Sequence, residues 1–325
     1  MAARRGRSGD DILGGIADHD SLEGRDGDDQ LYGRAGNDDL RGGRGNDYLN
    51  GGQGADTLRG GSGHDRLYGL QGKDTLYGGG DNDALYGGNN TDKLYGGMGG
   101  DRLNGGAGRD VLHGQDGNDR LFGGRGSDRL DGGEGRDELH GGAGNDRLIY
   151  DADDSRVRGG AGEDTLVLNG AQLTLDLRNL DELDLRGIDV INLNGSGANT
   201  LMLDARDLLA ISDQNMLRVM GGADDSVNSP TDVWTRNETG ALELDGQHYD
   251  RWDFGDATLY VDSDIALNNV ASGGESFAGG QVINFGVEIQ GIAGDFFDKT
   301  EYFFDGQTEV YSSIEPLAPD VIPPV

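Results

Sequence analysis

The sequence predicts an all-β chain: a parallel solenoid over residues 6–167, a smaller β-rich segment over 168–270 and an acidic tail over 271–325. Three observations predict it. Written in nines from Gly6, the chain keeps one register to Val167 without insertion or deletion, giving eighteen rows. Position six is Asp in seventeen rows and position eight is Leu in seventeen; both exceptions, Ser155 and Val157, fall in one degenerate row, 150–158. Glycine recurs at positions one, two and four. Chance does not hold a register through so many periods, and self-similarity at a fixed short period marks a repeat architecture.

Each position has a physical reason, as two rows show: Gly51-Gly-Gln-Gly-Ala-Asp-Thr-Leu-Arg59 and Gly123-Gly-Arg-Gly-Ser-Asp-Arg-Leu-Asp131. Positions one, two and four call for positive φ or very close chain approach, which glycine allows. Where position four is not Gly it is Asp18, Asp81, Asn90 or Asp153, the residue types that best tolerate the left-handed region. Positions seven to nine alternate out, in, out, as a short strand does, with the Leu inward. Nine residues then make a six-residue turn and a three-residue strand, and two such units make one coil.

Strands in stacked coils lie about 4.8 Å apart. Rows two apart in sequence fall directly above one another, so Asp20, Asp38, Asp56 and Asp74 form one column and Asp11, Asp29, Asp47 and Asp65 the opposite one. Ionised carboxylates at that spacing repel, and a divalent ion between them removes the repulsion. An oxygen-only set of carboxylates and main-chain carbonyls suits a hard cation of calcium's size; magnesium holds its waters and demands stricter octahedral geometry.

The row Gly-Gly-x-Gly-x-Asp-x-Leu-x resembles the RTX nonapeptide repeat, over about half of the chain. The resemblance implies a right-handed parallel β-roll, a calcium-bound solenoid with ions held between successive turns on each side. It implies that the position-six aspartates supply carboxylate oxygens and neighbouring glycines supply carbonyls. Carried over, the ligands are Asp11, Asp20, Asp29, Asp38, Asp47, Asp56, Asp65, Asp74, Asp83, Asp92, Asp101, Asp110, Asp119, Asp128, Asp137, Asp146 and Asp164. Ser155 puts the sites of its own row in doubt, and rows 15–23 and 87–95, with non-Gly turn residues, are expected to be weak.

From Leu168 the register ends. Residues 168–325 carry 28 Asp and Glu against 7 Lys and Arg. Leu173–Leu177, Leu180–Leu185 and Ile188–Leu193 read as short alternating strands that continue the solenoid as a cap, and solenoids need atypical ends. Asp204–Ile211 reads as one helix with Asp204 as its cap and Leu208, Leu209 and Ile211 inward. Gly240–Asp262 reads as antiparallel strands with turns at Asp245-Gly246 and Gly255-Asp256, and Trp234, Trp252, Tyr249 and Phe254 supply a small core. The stretch from Ile188 through Leu242–Asp264 resembles a module that follows RTX repeats in large bacterial surface adhesins, which implies a β-rich domain and no chemistry. Residues 271–325 hold one basic residue, Lys299, and end in Val321-Ile-Pro-Pro-Val325. That tail resembles the uncleaved C-terminal signal of type I export, an ordinary flexible tail being the plain alternative.

Composition narrows the partners. A formal net charge of −33 argues against nucleic acid and anionic membrane surfaces, both of which would repel the chain. With no Cys there is neither disulfide nor thiolate ligand. The basic start, Met1 to Arg7, leads into no apolar stretch, so no Sec-type signal is expected, and no run is long enough for a membrane span. The chain holds 62 Gly and only 34% hydrophobic residues, so ordering its backbone is costly and little burial offsets it.

No catalytic constellation is legible, so no enzyme activity is expected. His19, His64, His113 and His140 sit at variable outward or turn positions and read as exposed substitutions; with His248 they make no His-Glu-x-x-His pair. No Gly-x-Ser-x-Gly elbow occurs, and the Gly-x-Gly words do not join a strand to a helix. Arg66, Arg102, Arg120 and Arg156 share one face at position seven, with Tyr68, Tyr86 and Phe122 beside them at position nine. That stripe is read as β-propensity and charge balance ahead of a glycan- or anion-binding surface, and no regular Thr ladder suggests ice binding. The expected function is a secreted, extracellular, calcium-binding structural protein that folds on extracellular calcium and leaves through type I machinery, free or on the cell surface. The alternative is the calcium-folding and secretion portion of a larger exported enzyme, toxin or adhesin, since the repeats begin almost at Met1. A carbohydrate-adhesive role for 168–270 is a third, weaker reading.

Overall fold

The structure is a computed structural model that describes residues 2–268, apart from positions 171, 180–182, 196, 213, 230–233, 238, 239 and 245. The acidic tail therefore lies outside the described residues, as do Leu180 to Glu182 of the second expected strand. Alternate rows feed two parallel sheets. Ala2–Arg5, Asp20–Asp26, Asp39–Arg44 and every second strand after them form one; Ile12–Gly14, Gln30–Ala35, Tyr48–Gln53 and their successors form the other. Register is offset by eighteen residues throughout: Leu22 lies against Leu40, and Leu67 against Leu85. Every position-eight Leu from Leu22 to Leu148 is fully buried between the sheets, as are Val157 and Leu166. Each such side chain contributes about 1.5–3 kcal/mol.

The strands are longer than the three residues expected. Gln30–Ala35 and its successors up to Glu138–Ala143 have six, because positions one to three of the following row continue the ladder. Stacking coil upon coil keeps the backbone in register beyond the Leu, so Arg34 and Ala35 pair with Gly52 and Gln53. The turn shrinks to positions four to six. Left-handed backbone falls at positions two and four. Without glycine, Arg34, Leu70 and Gln115 at position two still hold φ of 81°, 77° and 81°, and Asp81 and Asn90 at position four 71° and 78°; Asp18 and Asp153, expected to be left-handed at position four, are not.

Beyond the repeats the solenoid continues in wider coils. Val190–Asn192 pairs in parallel with Thr165–Leu168, and Met216–Met220 and Ala257–Asp262 extend the same sheet. The second sheet ends at Asp184–Arg186. A third parallel sheet begins, of Thr174–Asp176, Thr200–Met202, Ser226–Asn228 and Ala266–Asn268. The helix Ala205–Ile211 carries a capping box in which Asp204 accepts from Arg206 and Asp207 and Asp207 closes back on Asp204. Its buried face is Ala205, Leu208 and Ile211. Leu209, expected inward, is 43% exposed, because a position one residue beyond Leu208 turns away from that face. Gln247–Phe254 pairs antiparallel with Ala257–Asp262 and with Leu242–Leu244. Trp234, Tyr249 and Trp252 are buried, and Trp234 Nε1 donates to Ser229 Oγ at 2.8 Å. Phe254 is 40% exposed and packs only its edge of the core, against Trp234 at 5.9 Å between ring centres.

Candidate metal centre

The position-six aspartates stack into two columns, one at each turn edge of the roll. From Asp29 onward each uses Oδ1 to accept the main-chain N–H of the aspartate eighteen residues earlier. Asp56 N–H donates to Asp74 Oδ1 and Asp74 N–H to Asp92 Oδ1, both at 2.8 Å. The bond recurs from Asp11 N–H on Asp29 Oδ1 to Asp146 N–H on Asp164 Oδ1. It continues one coil past the repeats, where Asp164 N–H donates to Asp189 Oδ2 at 3.0 Å. Sequence reasoning missed Asp189, which stands 25 residues after Asp164 rather than eighteen.

An asparagine would make the same bond. Aspartate adds a second, charged oxygen. At every ninth residue from Asp29 to Asp146, fourteen in all, Oδ2 is buried and has no hydrogen-bond partner. A buried carboxylate oxygen left alone is costly. Burial accordingly pushes these carboxyls up: Asp83 and Asp92 to about 8, Asp56, Asp65, Asp110 and Asp119 to about 7, and Asp47, Asp74, Asp101, Asp137 and Asp146 to about 6. Column neighbours add to the rise, as Asp65 and Asp101 do at Asp83.

Each lone oxygen sits beside the position-one glycine of its own row. A Cβ on Gly69 would lie 2.5 Å from Asp74 Oδ2 and 2.7 Å from the carbonyl oxygen of Gly87 in the next coil. Position one is thus glycine because of close approach, not positive φ. The carbonyls of positions two and four also point along the stack: a Cβ on Gly61 or Gly63 would collide with the carbonyl oxygen of Gly43 or Gly45. The Asp74 carboxylate oxygen and the Gly87 carbonyl oxygen that meet at Gly69 are of the kind a hard cation takes. No group of three or more acidic or His side chains gathers as a metal site among the described residues, because each coil brings a single carboxylate to each column. Gly69→Ala should raise the calcium concentration needed for folding and destabilise the roll by about 1–3 kcal/mol, the usual cost of overpacking. Circular dichroism during calcium titration checks this; an unshifted midpoint would remove the cradle from the argument.

The first coil is wired differently. Asp11 Oδ2 accepts from Arg7 N–H and Asp20 Oδ2 from Ile16 N–H, both at 2.6 Å. Arg25 and Arg34, at position two of the next rows, are left-handed and leave Oδ2 alone. In the wider coils the analogous column is also satisfied by protein. Asn199 Oδ1 accepts from Leu173 N–H while its Nδ2 donates to Leu193 O, and Asp225 accepts from Asn199 N–H on Oδ1 and Gly222 N–H on Oδ2.

Position five carries a second ladder that the sequence reading passed over. Asn46 Oδ1 accepts from His64 N–H, and His64 Nδ1 stands 3.0 Å from Asn82 N–H; His19 Nδ1 meets Asn37 N–H at 3.1 Å. His19 and His64 therefore join the stack rather than replacing arbitrary surface residues. His113 and His140 are partly buried and stack on Tyr95 and Phe122. The Arg stripe is engaged within the sheet: Arg102 covers Phe122 at 4.5 Å, and Arg156 reaches Glu138 at 2.7 Å and Asp184 at 3.3 Å.

Fold and site together define a parallel β-solenoid whose turns are lined by two columns of buried carboxylates. The family model of the RTX calcium-binding nonapeptide repeat matches residues 5–40, 14–49, 32–67, 59–94, 95–130 and 122–157. These residues are RTX calcium-binding nonapeptide repeats, present in multiple copies. The β-roll they build is a structural fold. No curated protein matches the chain. Among solved structures, the extracellular lipase LipA from Serratia marcescens is similar at 16% identity with a TM-score of 0.14, over 79% of this chain. This chain spans 36% of that one, and the likeness carries no structural argument. Among the described residues no helix is long and apolar enough to cross a membrane.

Proposed function

We propose that this calcium-binding repeat protein is a secreted structural protein whose roll, residues 6–167, folds when extracellular calcium fills its two columns. The position-six aspartates are the carboxylate ligands, and the observation that carries this is the repeated lone Oδ2 from Asp29 to Asp146. Bound calcium supplies the positive charge that these oxygens lack. The chain's own part is to hold Oδ1 on the preceding coil, to aim Oδ2 past a position-one glycine and to bring main-chain carbonyls alongside. At Asp11 and Asp20 an ion has to displace the amides of Arg7 and Ile16, so the first coil binds most weakly. Residues 168–270 serve as the cap. The tail 271–325 carries export information for a type I channel, a reading supported by its composition, with Lys299 its one basic residue. Neither part is assigned a reaction.

Native mass spectrometry in calcium should find on the order of ten to fifteen ions per chain, the range that two stacks of hard-cation sites can hold; two or fewer would sink the reading. Asp74→Ala should lower that number by one or two. It also frees the buried Asp56 N–H, at a cost of about 1–3 kcal/mol. Distant coils should bind as before, since solenoid contacts reach only nearest neighbours.

A further inference from the structure

The degenerate row 150–158 lacks both signatures of a site: position one is Tyr150 and position six is Ser155. The two losses belong together. A Cβ at position one collides with a position-six carboxylate, as at Gly69, so Tyr150 is compatible with this row only because Ser155 is short. Ser155 turns its hydroxyl onto the carbonyl oxygen of Asp137, in the coil before, at 2.9 Å. Asp137 keeps a fully buried Oδ2 without a partner.

The row supplies another carboxylate. Asp154, one residue before Ser155, is only 6% exposed. Its Oδ2 accepts from Asp151 N–H at 3.1 Å, and its Oδ1 is buried with no partner. Asp137, Asp151 and Asp131 all lie within electrostatic reach of it. Two buried, unpartnered carboxylate oxygens from successive coils thus occur together on one turn edge, as they do at the regular rows.

We propose that the row 150–158 holds a divalent cation of calcium's kind through Asp154 Oδ1 and Asp137 Oδ2, Asp154 standing in for the missing position-six aspartate. This rests on the reading of the regular columns and extends it to a row outside their pattern. The column through Asp137 is then unbroken, and the site is richer in negative charge than its neighbours because Asp131 and Asp151 flank it. Ligand charge is one of the quantities that tune calcium affinity.

Native mass spectrometry of the full chain in calcium tests it with two variants. Asp154→Asn keeps the shape and should hold one ion fewer than the wild type. The triple variant Tyr150→Gly, Asp154→Asn, Ser155→Asp rebuilds a regular row and should hold the wild-type number. A wild-type count in Asp154→Asn overturns the proposal. So does one extra ion in the triple variant, which would show that the native row holds none; this arm does not depend on the single variant folding. A wild type with two or fewer ions would instead mark failure of the columns as a whole.

Discussion

In excess chelator the full chain should lose most of its β circular dichroism, and millimolar calcium should restore it while magnesium does not. The roll buries about one Leu per nine residues, and its glycine-rich backbone is among the most costly to order. Emptied of cations, it also holds fourteen lone carboxylate oxygens in two self-repelling columns. Binding to sites that exist only in the folded state is itself folding energy. Extracellular calcium modules bind at about 10⁻⁴–10⁻³ M, well above intracellular calcium, so under the function proposed above the roll would stay unfolded inside the cell and fold outside. A residual β signal should survive in chelator, from the coils where Asn199 and Asp225 are satisfied by protein groups alone. An equally strong β spectrum with and without chelator would refute the mechanism even if calcium still bound.

Acid should partly replace calcium. Eleven of the column carboxyls between Asp47 and Asp146 rise on folding from 3.8 to about 6, 7 or 8, chiefly through burial. The sign follows from linkage. Between pH 4 and the raised values the folded roll keeps protons that the unfolded chain has released, so a metal-free roll is favoured at low pH and loses that support as pH rises through about 6 to 8. Calcium needs the carboxylate, so its affinity runs the other way and falls as pH drops through the same window. A chelated sample should therefore show more β structure at pH 5 than at pH 8, and the calcium midpoint should be several-fold higher at pH 5.5 than at pH 8. A midpoint independent of pH over that window would separate the raised carboxyls from the ligands.

Much of the fold was legible because one residue type at one phase reports directly on stacking. Asp and Leu at positions six and eight fixed the period, the two columns and the core. The strand length was not legible, since positions one to three pair through backbone that any side chain allows, as Arg34 and Ala35 do. The reason for glycine at position one lay in a neighbour across the coil, Asp74 against Gly69, and not in the local conformation. Asp189 escaped because the coil lengthens here, from eighteen residues to the 25 that separate Asp164 from Asp189, which puts the column out of phase. His19 and His64 read as variable because the property held in common at position five, an acceptor for the next coil's amide, is shared by Asp, Asn and His alike.

The fourteen lone oxygens bear on colloidal behaviour as well as on folding. One divalent ion at each would bring twenty-eight positive charges to a chain whose formal net charge is −33. The empty protein is a strong polyanion, mutually repelling and soluble. The filled one sits close to its isoelectric condition, where proteins lose that repulsion and associate. Repulsion of anionic partners is thus a property of the calcium-free chain. On the proposed function, calcium would change the molecule's electrophoretic identity in the same step that gives it shape, and its tendency to associate would rise with calcium concentration.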